Sequence, residues 1–272
     1  MSPRPRVSVC IPAFNAATTI GTTLSSVLAQ EVDDLEVIVS DNASSDDTVA
    51  VIEAFGRSDV RILRQARNIG MVHNYEAVIG ASRGDYVKLL CADDVLYPGA
   101  IRRELETLSD AGPGIAMVAA RRDVVVEGWG RLPRLSSGAR RGVEDGAACR
   151  RRIVGNGRNL IGEGQSVLMR GDVARRVAAA GLGDPFVVDL SLWFGVLAHG
   201  SVVHLPHRHG AFSVSRRSQS WELRSRQARE VRSFLDAQGS ALGVSHPRRL
   251  MGRGRARLGV MARMLLFSVS RR

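Results

Sequence analysis

The sequence predicts an α/β fold, an open sheet flanked by helices, from two patterns. Short β-rich apolar segments alternate with helical spacings over the first ~115 residues. Polar clusters rich in Asp and Asn follow four of these segments, where an open sheet would gather them on one edge.

Residues 6–12 (RVSVCIP) read as a buried strand that ends at a proline. Ile20, Leu24, Val27 and Leu28 give residues 18–30 a helical spacing. Residues 35–40 (LEVIVS) form a second strand, and Asp46 or Asp47 can cap a helix through Val49, Ile52 and Phe55. A third strand is expected at 60–63. A helix over 74–82 is broken by Gly84 before the strand at 86–90, and a helix over 98–111 has Pro98 near its start.

Beyond Gly114 the pattern thins. Strands are expected at 115–120, 166–170 and 201–205, with helices at 172–180 and 190–198. Residues 131–158 are rich in Gly, Arg and Ser and read as a flexible or long-loop region. From Trp221 the chain reads as helix, turn, helix.

Composition bounds the function classes. With 272 residues, 44% hydrophobic and 24% charged, the chain is a globular protein with a real core. A disordered chain, a collagen and a disulfide mini-protein are excluded. No run reaches the ~18 apolar residues of a membrane span. The N-terminal residues lack the apolar core of a signal peptide, so the expected location is cytoplasmic. Cys10, Cys91 and Cys149 are far apart and show no metal-type spacing. Fourteen arginines against three acids between Ala211 and Arg272 account for the entire net charge of +11. The preceding residues are neutral. A nucleic-acid binder would spread basic charge over its folded face.

The four clusters are PAFN (12–15), DNASSDDT (41–48), RNIG (67–70) and ADD (92–94). Each alone has a plainer reading as a turn or a helix cap. Together they would converge on one sheet edge, which points to a ligand site.

Segments 7–15 (VSVCIPAFN), 37–48 (VIVSDNASSDDT), 67–70 (RNIG) and 84–96 (GDYVKLLCADDVL) resemble family 2 glycosyltransferases of bacteria. The likeness is close over about the first 100 residues. It is looser through 162–166 (GEGQS), 186–193 (FVVDLSLW) and 207–215 (HRHGAFSVS). The resemblance implies the GT-A fold, a Rossmann-like open mixed sheet flanked by helices, here with a C-terminal helical extension. It implies a nucleotide-sugar-binding half at 1–115, an acceptor-binding half at 116–220 and a basic extension at 221–272. It implies transfer of a sugar from a nucleoside diphosphate to a hydroxyl, with inversion, in cell-envelope or polysaccharide biosynthesis. UDP is the commonest donor nucleotide in the family; dTDP and GDP use the same motifs.

Residue by residue, the resemblance sets Pro12, Ala13 and Asn15 against the nucleotide and Asp41 against its base. Arg67 and Gly70 line the nucleotide pocket, and Ala92 and Asp93 meet the donor. Asp93 matches the last acid of an Asp-x-Asp motif, the ligand of a divalent Mn²⁺ or Mg²⁺, and Asp94 fixes the loop. Cys91 stands where the first acid of that motif is common; a hard cation prefers oxygen, so Cys91 is not expected to bind it. His207 or His209 is a candidate second metal contact, in a segment that with Arg216 and Arg217 folds over the diphosphate in the family. Glu163 and Trp193 fall on the acceptor side, although Trp193 also reads as plain core.

The acceptor hydroxyl must lose its proton as it attacks the anomeric carbon, and a nearby carboxylate does this best. Asp189 matches the family's catalytic acid. Its plainer reading is a helix cap, and Val188 stands where a second acid is common. Asp184 competes for the role and looks like a turn residue before Pro185.

In the tail, Leu250, Leu258, Met261, Met264, Leu265 and Val269 are spaced for one apolar face. Arg253, Arg255, Arg257, Arg263, Arg271 and Arg272 surround it. A basic amphipathic helix of this kind suits an anionic membrane surface, and a peripheral place on the inner face of the cell membrane, with a lipid-linked acceptor. The alternative is a helix packed on the domain. No aromatic platform for nucleic acid is present. A reading of another class is an inactive, transferase-like nucleotide-binding scaffold at the membrane, which Cys91 and Val188 would favour. A nucleotidyltransferase would want a Gly- and Lys-rich phosphate loop, which is absent.

Overall fold

The computed structural model describes residues 5–128, 130–132, 141–215 and 223–269, with backbone alone at 224 and 263–269. The first elements are β1 (Val7–Ala13), α1 (Ile20–Leu28), β2 (Leu35–Asp41), α2 (Thr48–Glu53), β3 (Val60–Arg64), α3 (Met71–Gly80), β4 (Tyr86–Leu89), β5 (Val95–Leu96) and α4 (Ala100–Asp110). Then come β6 (Ile115–Val126), β7 (Gly130–Arg131), β8 (Gly142–Glu144), α5 (Gly146–Asn156), β9 (Val167–Arg170), α6 (Gly171–Ala179) and α7 (Val188–Val196). β10 (Ser201–Val214), α8 (Gln227–Ala241) and α9 (His246–Val269) complete the chain.

The described strands make one ten-stranded mixed sheet, ordered β3-β2-β1-β4-β9-β6-β10-β5, with β7 on β6 and β8 on β10. β1 pairs in parallel with β2 and β4, and every residue of it is buried. That explains its unbroken apolar run: a strand covered on both faces has no solvent side to alternate with. α1 and α4 cover one face with Ile20, Leu24, Ile101 and Leu105. α3, α5, α6 and α7 cover the other with Val78, Ile153, Val177 and Trp193. Because β1 to β4 run the same way, the chain segments after them emerge along one edge.

Two expectations are corrected. The region 131–158 is not one loop: it holds β7, β8 and α5. Asp145 caps α5 by accepting the Ala148 N–H at 2.8 Å, and Cys149, Ile153 and Val154 are its buried face. Three consecutive arginines, Arg150 to Arg152, obscure that spacing. β6 and β10 are also longer than their apolar cores. The polar residues that interrupt the alternation, Arg121 and Arg122 on one strand and Arg208 on the other, lie in the β6–β10 ladder itself. The extra length carries both strands to the edge where β1, β2 and β4 end.

A charged triad sits inside the α4 face. Lys88, Glu104 and His209 are all completely buried. Lys88 Nζ donates to Glu104 Oε2 at 2.6 Å and to the Val167 carbonyl at 3.3 Å. Glu104 Oε1 lies 2.8 Å from His209 Nδ1. Burial pulls the Lys88 pKa down against the pull of Glu104. Burial pushes Glu104 up, but Lys88 and His209 outweigh it and hold the carboxyl below its ordinary value. Breaking such a pair strands a buried charge, so Lys88→Met is expected to destabilise the fold by about 3–5 kcal/mol. A Lys88→Met/Glu104→Leu double variant should recover part of that loss in urea titrations; two additive losses would show the triad is not a unit.

A second cluster ties β8, α5 and β10 together. Glu144 takes two hydrogen bonds of 2.7 Å from Arg152 and lies 2.8 Å from His204 Nε2. Burial acts to raise its pKa, yet Arg152 and His204 hold it down at about 2. A carboxyl depressed on folding contributes stability above its unfolded value, and that contribution fades as pH falls toward 2. Glu144→Gln should therefore flatten the acid limb of the stability curve between about pH 4.5 and pH 2 while the neutral limb keeps its shape.

Candidate functional site

The edge loops are tied to one another before any ligand is considered. Asn15, at a positive φ of 49°, donates its N–H to Ser44 Oγ at 2.9 Å and accepts the Ser45 N–H at 2.9 Å. Asp41 is buried at the end of β2 and accepts the N–H and the hydroxyl of Ser44. Ala16 N–H donates to Thr48 Oγ1 at 2.7 Å. Pro12 and Ala13 are buried in β1 beneath this clasp. Asn42 then reaches the next loop, accepting the Ile69 N–H at 2.8 Å and donating to Asn68 Oδ1 at 3.0 Å. Gly70, with φ 84°, turns the chain into α3. Arg67 is exposed at the rim. Asn74 of α3 ties the floor together, donating to the Ser40 carbonyl at 3.1 Å.

After β4 the chain makes a tight turn, with Asp94 N–H donating to the Cys91 carbonyl at 3.1 Å. Ala92 is buried in it. Ligand atoms of Cys91, Asp93 and Asp94 lie within 4.8 Å of one another. Burial pushes the Asp93 carboxyl up to about 6. Asp94 is pushed well above its ordinary value by burial and by Asp93, against the Ser213 N–H and Arg122. Asp94 Oδ1 accepts the Ser213 N–H from β10 at 2.9 Å, so this acid does fasten the loop to the sheet. Its Oδ2 is buried and has no hydrogen-bond partner among the described residues.

Asp189 enters from the first turn of α7, half-buried, with Oδ1 accepting the Leu190 N–H at 2.7 Å. Asn159 donates to its Oδ2 at 3.4 Å and to the Gly162 carbonyl at 2.9 Å. The Tyr75 hydroxyl lies 3.3 Å from the Cys91 sulfur, and both groups feel the charges of Asp93 and Asp189. Asp93 and Asp189 thus act on the same two groups, Tyr75 and Cys91, and Asp94 on the second of them, beside the turn that follows β4. Asp184 stays exposed in the turn before Pro185.

Other sequence-predicted residues fall elsewhere. His209 is drawn into the core triad by Glu104, at a place where the register of β10 shifts on either side of Arg208. His207 is exposed on that strand. Trp193 is completely buried, with its indole N–H on the Gly162 carbonyl at 3.0 Å. It braces a turn and offers no face to a sugar. Glu163 is held by both arms of Arg122, one at 2.8 Å. Arg216 and Arg217 lie outside the described residues.

Arg122 and Asn159 were not legible as site residues. Arg122 is almost buried on β6, with its guanidinium 5.5 Å from the Phe212 ring centre. It is the cation that offsets Asp94. Only the unexpected length of β6 brings it here. Asn159 follows α5, a helix hidden in an arginine-rich stretch.

Comparison with known proteins places this geometry. The family model for Glycosyl transferase family 2 matches residues 8–166. An uncharacterized protein of Mycobacterium tuberculosis is 29% identical over 240 residues, covering 86% of this chain and 74% of that one. The GalNAc(5)-diNAcBac-PP-undecaprenol beta-1,3-glucosyltransferase of Campylobacter jejuni is 33% identical over 137 residues, 49% of this chain and 43% of that one. This chain therefore spans less than half of the Campylobacter relative. In structure, S. aureus TarS with UDP-GlcNAc superposes with a TM-score of 0.66 at 14% identity, covering 86% of this chain and 66% of that one. A Pyrobaculum calidifontis mannosyltransferase with GDP-Man and Mn²⁺ superposes with a TM-score of 0.65 at 20% identity, covering 99% and 74%. The fold is GT-A.

The site also sets the state of its thiol. Burial, then Asp94 and Asp93, push the Cys91 thiol well above its ordinary value. Burial does the same to Cys10 and lifts Cys149 to about 12. At pH 8 all three should be thiols, and iodoacetamide should label the native protein slowly and the denatured protein fully. Rapid native labelling at Cys91, read by mass spectrometry, would show a pocket far less acidic than this one.

Proposed function

The chain belongs to glycosyl transferase family 2, and from that premise we propose that it transfers a sugar, with inversion, from a nucleoside-diphosphate donor to an acceptor hydroxyl. UDP is the favoured nucleotide, with dTDP and GDP as alternatives. The observation that carries the reading is that Asp93, in the turn after β4, and Asp189, in the first turn of α7, both bring their charge to Tyr75 and Cys91. A donor diphosphate and an acceptor hydroxyl need acids in these two places.

In this reading residues 1–115 hold the donor and 116–220 the acceptor. Asp41 faces the base, with Pro12, Ala13, Asn15, Arg67, Gly70 and Ala92 around the nucleotide. Asp189 takes the proton of the attacking hydroxyl. Its place in the first turn of α7 stabilises the charged form that a base requires. Asn159 orients it. Glu163, paired with Arg122, borders the acceptor side.

The residues present fit a divalent cation. Ligand atoms of Asp93 and Asp94 lie within 4.8 Å of each other, and Asp94 Oδ2 is a buried acceptor with no partner among the described residues. Asp93 would be its main ligand, and Mn²⁺ or Mg²⁺ bound there would offset negative charge on the leaving diphosphate. The GDP-Man and Mn²⁺ bound to the Pyrobaculum structure support this assignment. The undecaprenol-linked acceptor in the name of the Campylobacter relative supports a glycan carried on a lipid, in envelope or polysaccharide synthesis.

Thermal-shift measurements with UDP, dTDP, GDP and CDP, each with and without Mn²⁺, test the donor side, because a ligand of the native state raises its melting point. One nucleotide should stabilise the protein selectively and more so with metal. Asp93→Asn should lose the metal-dependent part. Asp189→Asn should keep the full nucleotide shift and lose about 10²–10⁴-fold in transfer rate. Full transfer by Asp189→Asn would sink the base assignment. Nucleotide binding with no metal response and no turnover would favour the inactive scaffold that Cys91 and Val188 suggest.

A further inference from the structure

The last helix has two apolar sides. Gly252, Ala256 and Val260 of α9 are buried, and the helix packs on α5 and α8. The approach is closest at two glycines: a Cβ on Gly252 would fall 2.1 Å from the Val154 carbonyl, and one on Gly157 1.9 Å from the Gly252 carbonyl. Nothing larger than hydrogen fits at either position. Leu250, Met251, Leu258 and Met261 lie on the opposite side, 49%, 54%, 63% and 60% exposed. They are four of the five large apolar side chains exposed among the described residues. Gathered on one face of one helix, they form a surface that asks for a partner.

Charge selects the partner. Arg248, Arg255 and Arg257 are exposed along the two borders of this stripe, and α9 contains no acidic residue. Arg253 points the other way and is paired with Asp236 of α8. A second copy meeting this face would bring arginine against arginine. An anionic surface with an apolar interior meets both features at once. No helix among the described residues is long and apolar enough to cross a membrane.

We propose that α9 seats the protein on an anionic lipid surface, with Leu250, Met251, Leu258 and Met261 in the acyl boundary and Arg248, Arg255 and Arg257 on the headgroups. The inference rests on the proposed lipid-linked acceptor for its purpose but not for its geometry. Gly157, gripped by α9, lies two residues before Asn159, which bonds Asp189. The seated helix is thereby fixed to the segment that holds the proposed base, at a set height over the lipid.

The test is co-sedimentation of the full chain with phosphatidylcholine vesicles, with and without phosphatidylglycerol. The expected result is binding to the mixed vesicles alone, released by high salt. Leu258→Asp/Met261→Asp should weaken it at least about tenfold. Arg248→Ser and Arg257→Ser should each weaken it about fivefold. Circular dichroism and melting curves establish that each variant is folded. Folded wild-type protein left in the supernatant overturns the proposal. So does binding that ignores the four substitutions. A concentration-dependent dimer in sedimentation velocity, lost in Leu258→Asp/Met261→Asp, assigns the face to a second copy instead. Nucleotide thermal shifts on the same samples separate the two readings. A nucleotide response without vesicle binding removes only the membrane face; vesicle binding without a nucleotide response removes only the donor reading.

Discussion

Asp93 and Asp94 are neighbouring carboxyls held where water is scarce, with the charge of Asp189 felt by the same Cys91, and much of the architecture serves to make that tolerable. Desolvation works against Asp93 and Asp94 in the charged form. Among the described residues, compensation comes from several separate groups. Arg122 stands beside Asp94, the Ser213 amide donates to it, and the first turn of α7 surrounds Asp189 with amide dipoles. Arg122 is itself shared with Glu163. The carboxyls of Asp93 and Asp94, side by side after β4, are groups that a cation would relieve.

The acid turn needs a rigid surround, and β10 contributes to it. It pairs with β6, β8 and β5, sends the Ser213 amide to Asp94, and sends His209 into the triad with Glu104 and Lys88. Lys88 in turn lies in β4, directly before the acid turn. One strand therefore braces the acid loop from its open side and, through the triad, from beneath. The register shifts of β10 between His204 and Gly210 allow this division of labour, since they change which residues face which layer.

The donor-side half of the fold was legible because its signals are local. Fully buried parallel strands read as unbroken apolar runs, and the Asp- and Asn-rich loops follow them directly. The boundaries of α3, α4, α6 and α7 lie within a few residues of those expected from spacing. Legibility fell where structure depends on partners distant in sequence. β6 and β10 run on through arginines and histidines because each holds the other, which no local pattern records. α5 is amphipathic through Cys149, Ile153 and Val154 alone, behind a run of arginines. Arg122, Asn159 and Asn74 were invisible for the same reason: their roles come from where the chain returns, not from their neighbours. His209 and Trp193 show the converse. Residue type suggested chemistry, and packing committed them to the core.

The sheet order has a bearing on how the chain is made. β1 to β4 are complete once residue 89 has emerged, yet the neighbour that closes the open side of β4 is β9, which begins at Val167. At roughly 5–20 residues per second, a nascent chain carries a bare strand edge for several seconds. Bare edges recruit other strands, and an inward-pointing charge is one of the devices that discourages this. β4 has one at its centre: Lys88, the only lysine in the sequence. Until Glu104 and His209 cover it, that ammonium is a charge that any strand added to the bare edge would have to bury.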